Sequence, residues 1–167
     1  MFEKYGEFDS AEEINAKAAE LKVLGDRTAL RELAMENGLD PEDAEDYADG
    51  IIEDDLCTVF MAAQGKIKVE MEAMKLTREF EMLADELQVE IQDLKLAAGV
   101  RRKGKSLAEY LAKVIDKGYQ DAITPPKEIL DKVTAVPKQY LQHLKTGMPN
   151  KAERKTIMTE YFGEKVV

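Results

Sequence analysis

Apolar residues recur along this chain at steps of three and four, and no stretch alternates like a half-buried strand bounded by hairpin turns. Ser10 to Glu13 reads as a capping box. Ile14, Ala18, Leu21 and Val23 or Leu24 follow at helical spacing before Gly25, which predicts a helix over 10–24. Asp26 can cap a second helix, over 27–37, with Leu30, Leu33 and Ala34 inward and Asn37-Gly38 as its stop. Asp40-Pro41 is an N-cap with proline at the first helical position, and it opens a short acidic helix over 41–49 that ends at Gly50.

From Ile51 to Ala98 there is no proline, and Gly65 is the one expected break or kink. Beyond it Val69, Ala73, Leu76, Phe80, Leu83, Leu87, Ile91, Leu94 and Ala98 recur with a mean step of about 3.6 residues. That period predicts one straight amphipathic helix over 66–97, about 48 Å long at ~1.5 Å per residue. Met71, Met74 and Met82 widen its apolar face, as core filler or as an adaptable binding surface. Further helices are expected over 106–117, 126–135, 138–145 and 151–162, punctuated by Lys117-Gly118, Thr124-Pro125-Pro126, Pro137 and Gly147 to Asn150. The expected fold is all-α and multi-helix. An acidic lobe (1–64) is joined by a long connecting helix (65–98) to a basic lobe (99–167).

Composition narrows the function classes. The 167 residues are 44% apolar and 35% charged, with a net charge of −10. This is too apolar for a disordered chain, and no run nears the roughly 20 apolar residues of a spanning helix. The opening MFEKYGEFDS has no signal-peptide h-region, so the expectation is a soluble, cytoplasmic protein with no membrane partner. A single cysteine, Cys57, and a single histidine, His143, exclude an internal disulfide and a Cys/His zinc set. Cys57 between Leu56 and Val59 reads as core, and His143 among Tyr140, Leu141 and Leu144 as a half-buried helix residue.

Charge is distributed in two ends. Residues 1–60 hold 18 acids and 5 bases, whereas residues 99–167 hold 8 acids and 14 bases. The acidic maximum runs from Asp40 to Asp55 and the basic one is Arg101, Arg102, Lys103 and Lys105. Such asymmetry can hold lobes together, or present one face to a cationic groove and the other to phosphate. The acidic run does not fit a calcium loop, because a register with Gly50 sixth puts Tyr47 at a ligand position. Gly99-Val-Arg-Arg-Lys-Gly104-Lys105-Ser106 fits the phosphate-loop pattern, but the segment before it has helical periodicity where that loop needs a buried strand. No pair of carboxylates stands out for acid–base chemistry, so no enzyme, cofactor or metal is expected. The candidate partner-binding residues are Asp43, Asp46, Asp49, Asp54 and Asp55 at one end and Arg101, Arg102, Lys103 and Lys105 at the other.

Two stretches carry a resemblance. Phe2-Glu-Lys-Tyr-Gly-Glu-Phe-Asp-Ser-Ala-Glu-Glu-Ile-Asn15, with Glu42-Asp-Ala-Glu-Asp-Tyr-Ala-Asp-Gly50, resembles small proteins from mobile elements of gut Firmicutes. Arg101-Arg-Lys-Gly-Lys-Ser-Leu-Ala-Glu-Tyr-Leu111, the Ile129 helix and Tyr161-Phe162 are similar to the PcfK-like conjugation accessory family, in which a Lys-Ser turn leads into a helix. Some PcfK-like proteins are anti-CRISPRs against type II effector nucleases. The resemblance therefore implies a non-enzymatic protein of a phage or conjugative element that inhibits a nucleic-acid-handling nuclease by protein–protein interaction. The alternative it implies is a conjugation accessory protein that binds DNA through residues 101–105.

Overall fold

The computed structural model describes residues 1–163. Among them the chain forms ten helices and no strand: α1 (Ala11–Val23), α2 (Arg27–Glu36), α3 (Pro41–Asp49), α4 (Val59–Met74), α5 (Glu79–Glu90), α6 (Leu94–Arg101), α7 (Leu107–Gln120), α8 (Lys127–Leu130), α9 (Lys138–Leu141) and α10 (Lys151–Phe162). The all-α, multi-helix architecture is the one the periodicity predicts. No helix among the described residues is long and apolar enough to cross a membrane.

Local chemistry sets most boundaries. Ser10 accepts from the Glu13 amide at 3.3 Å, Asp26 from Ala29 at 3.0 Å and Asp40 from Glu42 at 2.9 Å. Each side chain thus satisfies an amide that the first helical turn leaves unpaired. Gly50 ends α3 in the left-handed conformation, with φ 77°. Asn150 and Glu153 form a full capping box at α10.

The long helix expected over 66–97 does not form; α4, α5 and α6 stand in its place. Lys75 ends α4 with φ 52°, and Arg78 turns the chain into α5 with φ 56° and ψ −122°. Asp93 then caps α6, accepting from the Leu96 amide at 2.9 Å. Two left-handed non-glycine residues cost about 1 kcal/mol or more each. The turn offsets that cost by folding α5 back on the bundle, where Leu83, Ala84, Leu87 and Ile91 are buried. Of the expected stripe only Leu83, Leu87 and Ile91 are buried; α4 buries Ala63 and Ile67 and α6 buries Leu96, Ala97 and Val100 instead. Phe80 and Leu94, expected on the same stripe, are exposed.

Two cores result. Ile14, Ala18, Leu30, Leu33, Tyr47 and Leu56 build the first, within α1–α3 and the segment after them. Ile67, Leu83, Leu87, Val100, Tyr110 and Phe162 build the second, within α4–α7 and α10. Helix α4 belongs to both, with Ala62 in the first and Ala63 in the second. The acidic lobe therefore packs directly on the basic one, and the expected spacer between them is absent.

Gly65 is the point of closest approach. It does not break the helix, as the sequence suggests, but lies buried in the middle of α4. A Cβ there would sit 2.1 Å from the Asn37 carbonyl oxygen, in the turn after α2. Gly38 is the reciprocal contact, since its Cβ would lie 2.2 Å from the Gly65 carbonyl oxygen. On an open helix surface Gly65→Ala would stabilise by about 1 kcal/mol through propensity alone. Here the backbone contact reverses the sign, and the substitution should lower the unfolding free energy by about 1–3 kcal/mol in urea denaturation. A gain in stability would show that the two lobes do not meet at this position.

A buried ionic seam and an exposed carboxylate face

Where the two lobes meet, three charged side chains are buried: Lys66 and Glu70, one turn apart on α4, and Arg101 at the end of α6. Burying a charge costs several kcal/mol unless it is paired and hydrogen-bonded, so the partners define the geometry. Lys66 Nζ donates to Glu7 Oε1 at 2.5 Å and to the Arg102 carbonyl oxygen at 2.7 Å. Glu70 Oε2 accepts from the Leu107 amide at the start of α7. Arg101 Nη2 donates to Asn37 Oδ1 at 2.9 Å, and Asn37 Nδ2 donates to the Leu33 carbonyl oxygen at 2.9 Å. Arg101 Nε and Nη1 have no hydrogen-bond partner, and the guanidinium lies 5.6 Å from the centre of the Phe2 ring. Burial pushes the Lys66 and Arg101 pKa values down and that of Glu70 up; the neighbouring opposite charges oppose each shift.

The turn after α6 is drawn into the same seam. The Lys103 amide donates to Asp9 Oδ1 at 2.9 Å and the Gly104 amide to Glu7 Oε2 at 3.2 Å. The Ser106 amide donates to the Tyr161 hydroxyl at 2.9 Å, and that hydroxyl donates to Glu109 Oε2 at 2.9 Å. This accounts for the phosphate-loop match. Gly99 to Arg101 are helical, Ser106 is the N-cap of α7, and the turn amides cradle anionic oxygens supplied by the N-terminal segment of the same chain. Gly99 serves packing, since a Cβ there would lie 1.7 Å from the Phe162 carbonyl oxygen.

The basic candidates therefore separate. Arg101 is corrected from a partner-binding residue to a structural one, because its side chain is 0% exposed. Arg102 is half-buried and gives its carbonyl to Lys66, and Lys103 is exposed. Lys105 Nζ lies 4.5 Å from the centre of the Tyr161 ring, with Lys113 Nζ at 5.2 Å. Lys105, Lys113, Lys117 and Tyr161 line one hollow.

The acidic candidates lie on α3 and the segment after it. Asp49 pairs with Arg27, which holds its carboxyl below the usual range, and Glu45 pairs with Arg31. Asp43 is half-buried, Asp46, Asp54 and Asp55 are exposed, and none of these four makes an ion pair. The face is fixed from beneath by Ala44 and Tyr47, which are buried against α2 and α1. Cys57 is core as expected, and burial pushes its thiol up to about 11. His143 is exposed beyond the end of α9, not half-buried within a helix. Among the described residues no group of three or more His, Cys, Asp or Glu side chains is arranged to hold a metal ion.

Sequence reasoning misses Glu7, Asn37, Lys66 and Glu70. A signal exists for two of them: Ala62, Lys66 and Glu70 fall at four-residue steps beside Ala63 and Ile67, which puts a charge pair on an apolar stripe. Compared with models of protein families, with curated proteins and with solved structures, the chain matches none. Removing one buried charge from the seam leaves its partners unpaired. Arg101→Ala takes the donor from Asn37 and leaves a cavity where a large buried side chain stood, so it should cost about 2–5 kcal/mol in chemical denaturation, and Lys103→Ala less than about 0.5 kcal/mol. Equal losses would contradict the separation of the two residues.

Proposed function

We propose that the protein is a non-catalytic binding protein whose carboxylate face, Asp43, Asp46, Asp54 and Asp55 with Asp49 beside them, occupies a basic nucleic-acid channel of a partner protein. One observation carries the reading. The chain spends the backbone of its basic turn and Arg101 on its own seam, whereas these four carboxylates lie on α3 and the non-helical segment after it with no ion-pair partner of their own. Fixed carboxylates at short spacing imitate a phosphate track and attract a cationic groove from a distance. The resemblance to mobile-element and PcfK-like proteins narrows the partner to a type II effector nuclease, so the proposed role is that of an anti-CRISPR. A second reading, a conjugation accessory protein that binds DNA, draws on the hollow of Lys105, Lys113, Lys117 and Tyr161, where two ammonium groups flank one ring.

The two readings give opposite results in paired assays. Target cleavage by a guide-loaded type II nuclease should fall on addition of the wild type. It should be restored when Asp43, Asp46, Asp54 and Asp55 are all reversed to lysine. None of the four supports the fold through an ion pair, so this variant should keep its helical circular dichroism. Neutralising Lys103 and Lys105 should change inhibition less than about threefold, and Arg101 is left intact because its loss perturbs the fold. Gel shifts on random duplex at about 50 and 200 mM salt should show no complex with the wild type. Undiminished cleavage would refute the nuclease assignment. Salt-sensitive duplex binding lost on neutralising Lys105, Lys113 and Lys117 would establish the DNA reading instead.

A further inference from the structure

The short turn between α4 and α5 holds two residues in left-handed backbone, Lys75 and Arg78. Phe2 is the only other non-glycine residue with positive φ among the described residues. A Cβ disfavours such backbone, and φ 56° with ψ −122° at Arg78 is what glycine adopts at the first central position of a type II′ turn. The start of α5 also lacks a local signal. Every other helix of eight or more residues among the described residues has an N-cap side chain that accepts from its first turn, whereas Arg78 makes no such bond. Residues 66–98 contain no glycine and no proline, and Lys75, Leu76 and Arg78 are good helix formers. In an unbroken helix Lys75 would stand four residues before Glu79, and Arg78 three before Glu81, spacings at which opposite charges meet. Local preference therefore favours one helix over residues 59–90, about 48 Å long at ~1.5 Å per residue.

Tertiary contacts hold the turn closed. Leu83, Leu87 and Ile91 of α5 and Val100 of α6 share a core with Ala63 and Ile67 of α4. Three bonds of the seam also join the parts on either side of the turn: Lys66 to the Arg102 carbonyl oxygen, the Leu107 amide to Glu70, and Arg101 to Asn37. A single chain that straightened would expose this core and strip buried charges of their partners. A second copy removes the obstacle, because its residues 1–74 offer the same surface. When residues 79–163 of each chain pack on residues 1–74 of the other, the contacts between the two parts are remade and the turn alone differs.

We propose that the chain forms a domain-swapped dimer, in which α4 and α5 run on as one helix and the part after Arg78 docks on a second copy. The exchange releases the left-handed residues of both chains. Association opposes it, and concentration offsets that cost. Short hinge turns under strain are where such exchange occurs.

The test uses the full chain, refolded from urea over about 5–500 μM and then separated by size exclusion with light scattering. The wild type should give a monomer at the low end and a growing dimer fraction at the high end. Lys75→Gly with Arg78→Gly suits the turn and weakens a continuous helix, so the association constant should fall at least about tenfold. Thr77→Ala, at an exposed position, favours the helix and should raise it severalfold. A cross-link identifies the exchange itself. The Lys103 amide donates to Asp9 across the two parts, both residues are exposed, and Cys57 is buried. In Asp9→Cys with Lys103→Cys, a short bismaleimide should join the two positions within one chain in the isolated monomer. In the isolated dimer it should join two chains, giving a covalent dimer on a denaturing gel. A monomer at every concentration, a dimer whose cross-link stays within one chain, or a dimer unaffected by the two glycines would each overturn the inference.

Discussion

The structure depends on accommodating three buried charges, those of Lys66, Glu70 and Arg101, at the contact between two helical lobes. None of them could stay there alone, and none finds all its partners on its own helix. Lys66 needs the N-terminal segment for Glu7 and the end of α6 for a carbonyl. Glu70 needs the first amide of α7, and Arg101 needs Asn37 at the end of α2. The requirement therefore ties the segment before α1, the α2–α3 turn, α4, α6 and α7 to one another. Gly65 and Gly38 supply the steric half of the constraint by letting backbone meet backbone at the same place.

The seam also decides which charges remain for other molecules. The sequence is divided between an acidic end and a basic end, and a long spacer would hold them apart by several Debye lengths of about 8–10 Å. In the folded chain the two ends touch. Carboxylates of Glu7 and Asp9 occupy the amides of the basic turn, and Arg101 is withdrawn into the core. The surface that remains combines an acidic helix on one lobe with scattered lysines on the other. This is a surface suited to recognition, and the proposed function rests on that division.

Much of the fold is legible in the sequence because caps and turns act locally. Ser10, Asp26, Asp40 with Pro41, Gly50 and Asn150 each mark a boundary that short-range chemistry enforces. The interruption of the long helix is not legible in the same way. Lys75 and Arg78 adopt left-handed conformations that their side chains do not favour, so only the packing of α5 against the bundle selects them. Periodicity shows that each segment has a face to bury, but the face shifts where the chain turns: Ala73, Phe80 and Leu94 of the expected stripe are exposed, and α4 buries Ala63 and Ile67 instead. The site was legible in part. The carboxylates of α3 lie on the surface, as a dense acidic run implies. Arg101 reads in sequence like its neighbours Arg102 and Lys103, and only the helix phase of α6 turns it inward.

The seam should couple the N-terminal segment to the helical bundle energetically and make the two lobes unfold together. A double-mutant cycle between Glu7→Gln and Lys66→Met, measured by urea denaturation with circular dichroism and tyrosine fluorescence, tests it most directly. The expected result is one cooperative transition by both probes and a coupling energy above about 1 kcal/mol between the two positions. Additive effects within about 0.5 kcal/mol, or two separate transitions for the two lobes, would contradict it.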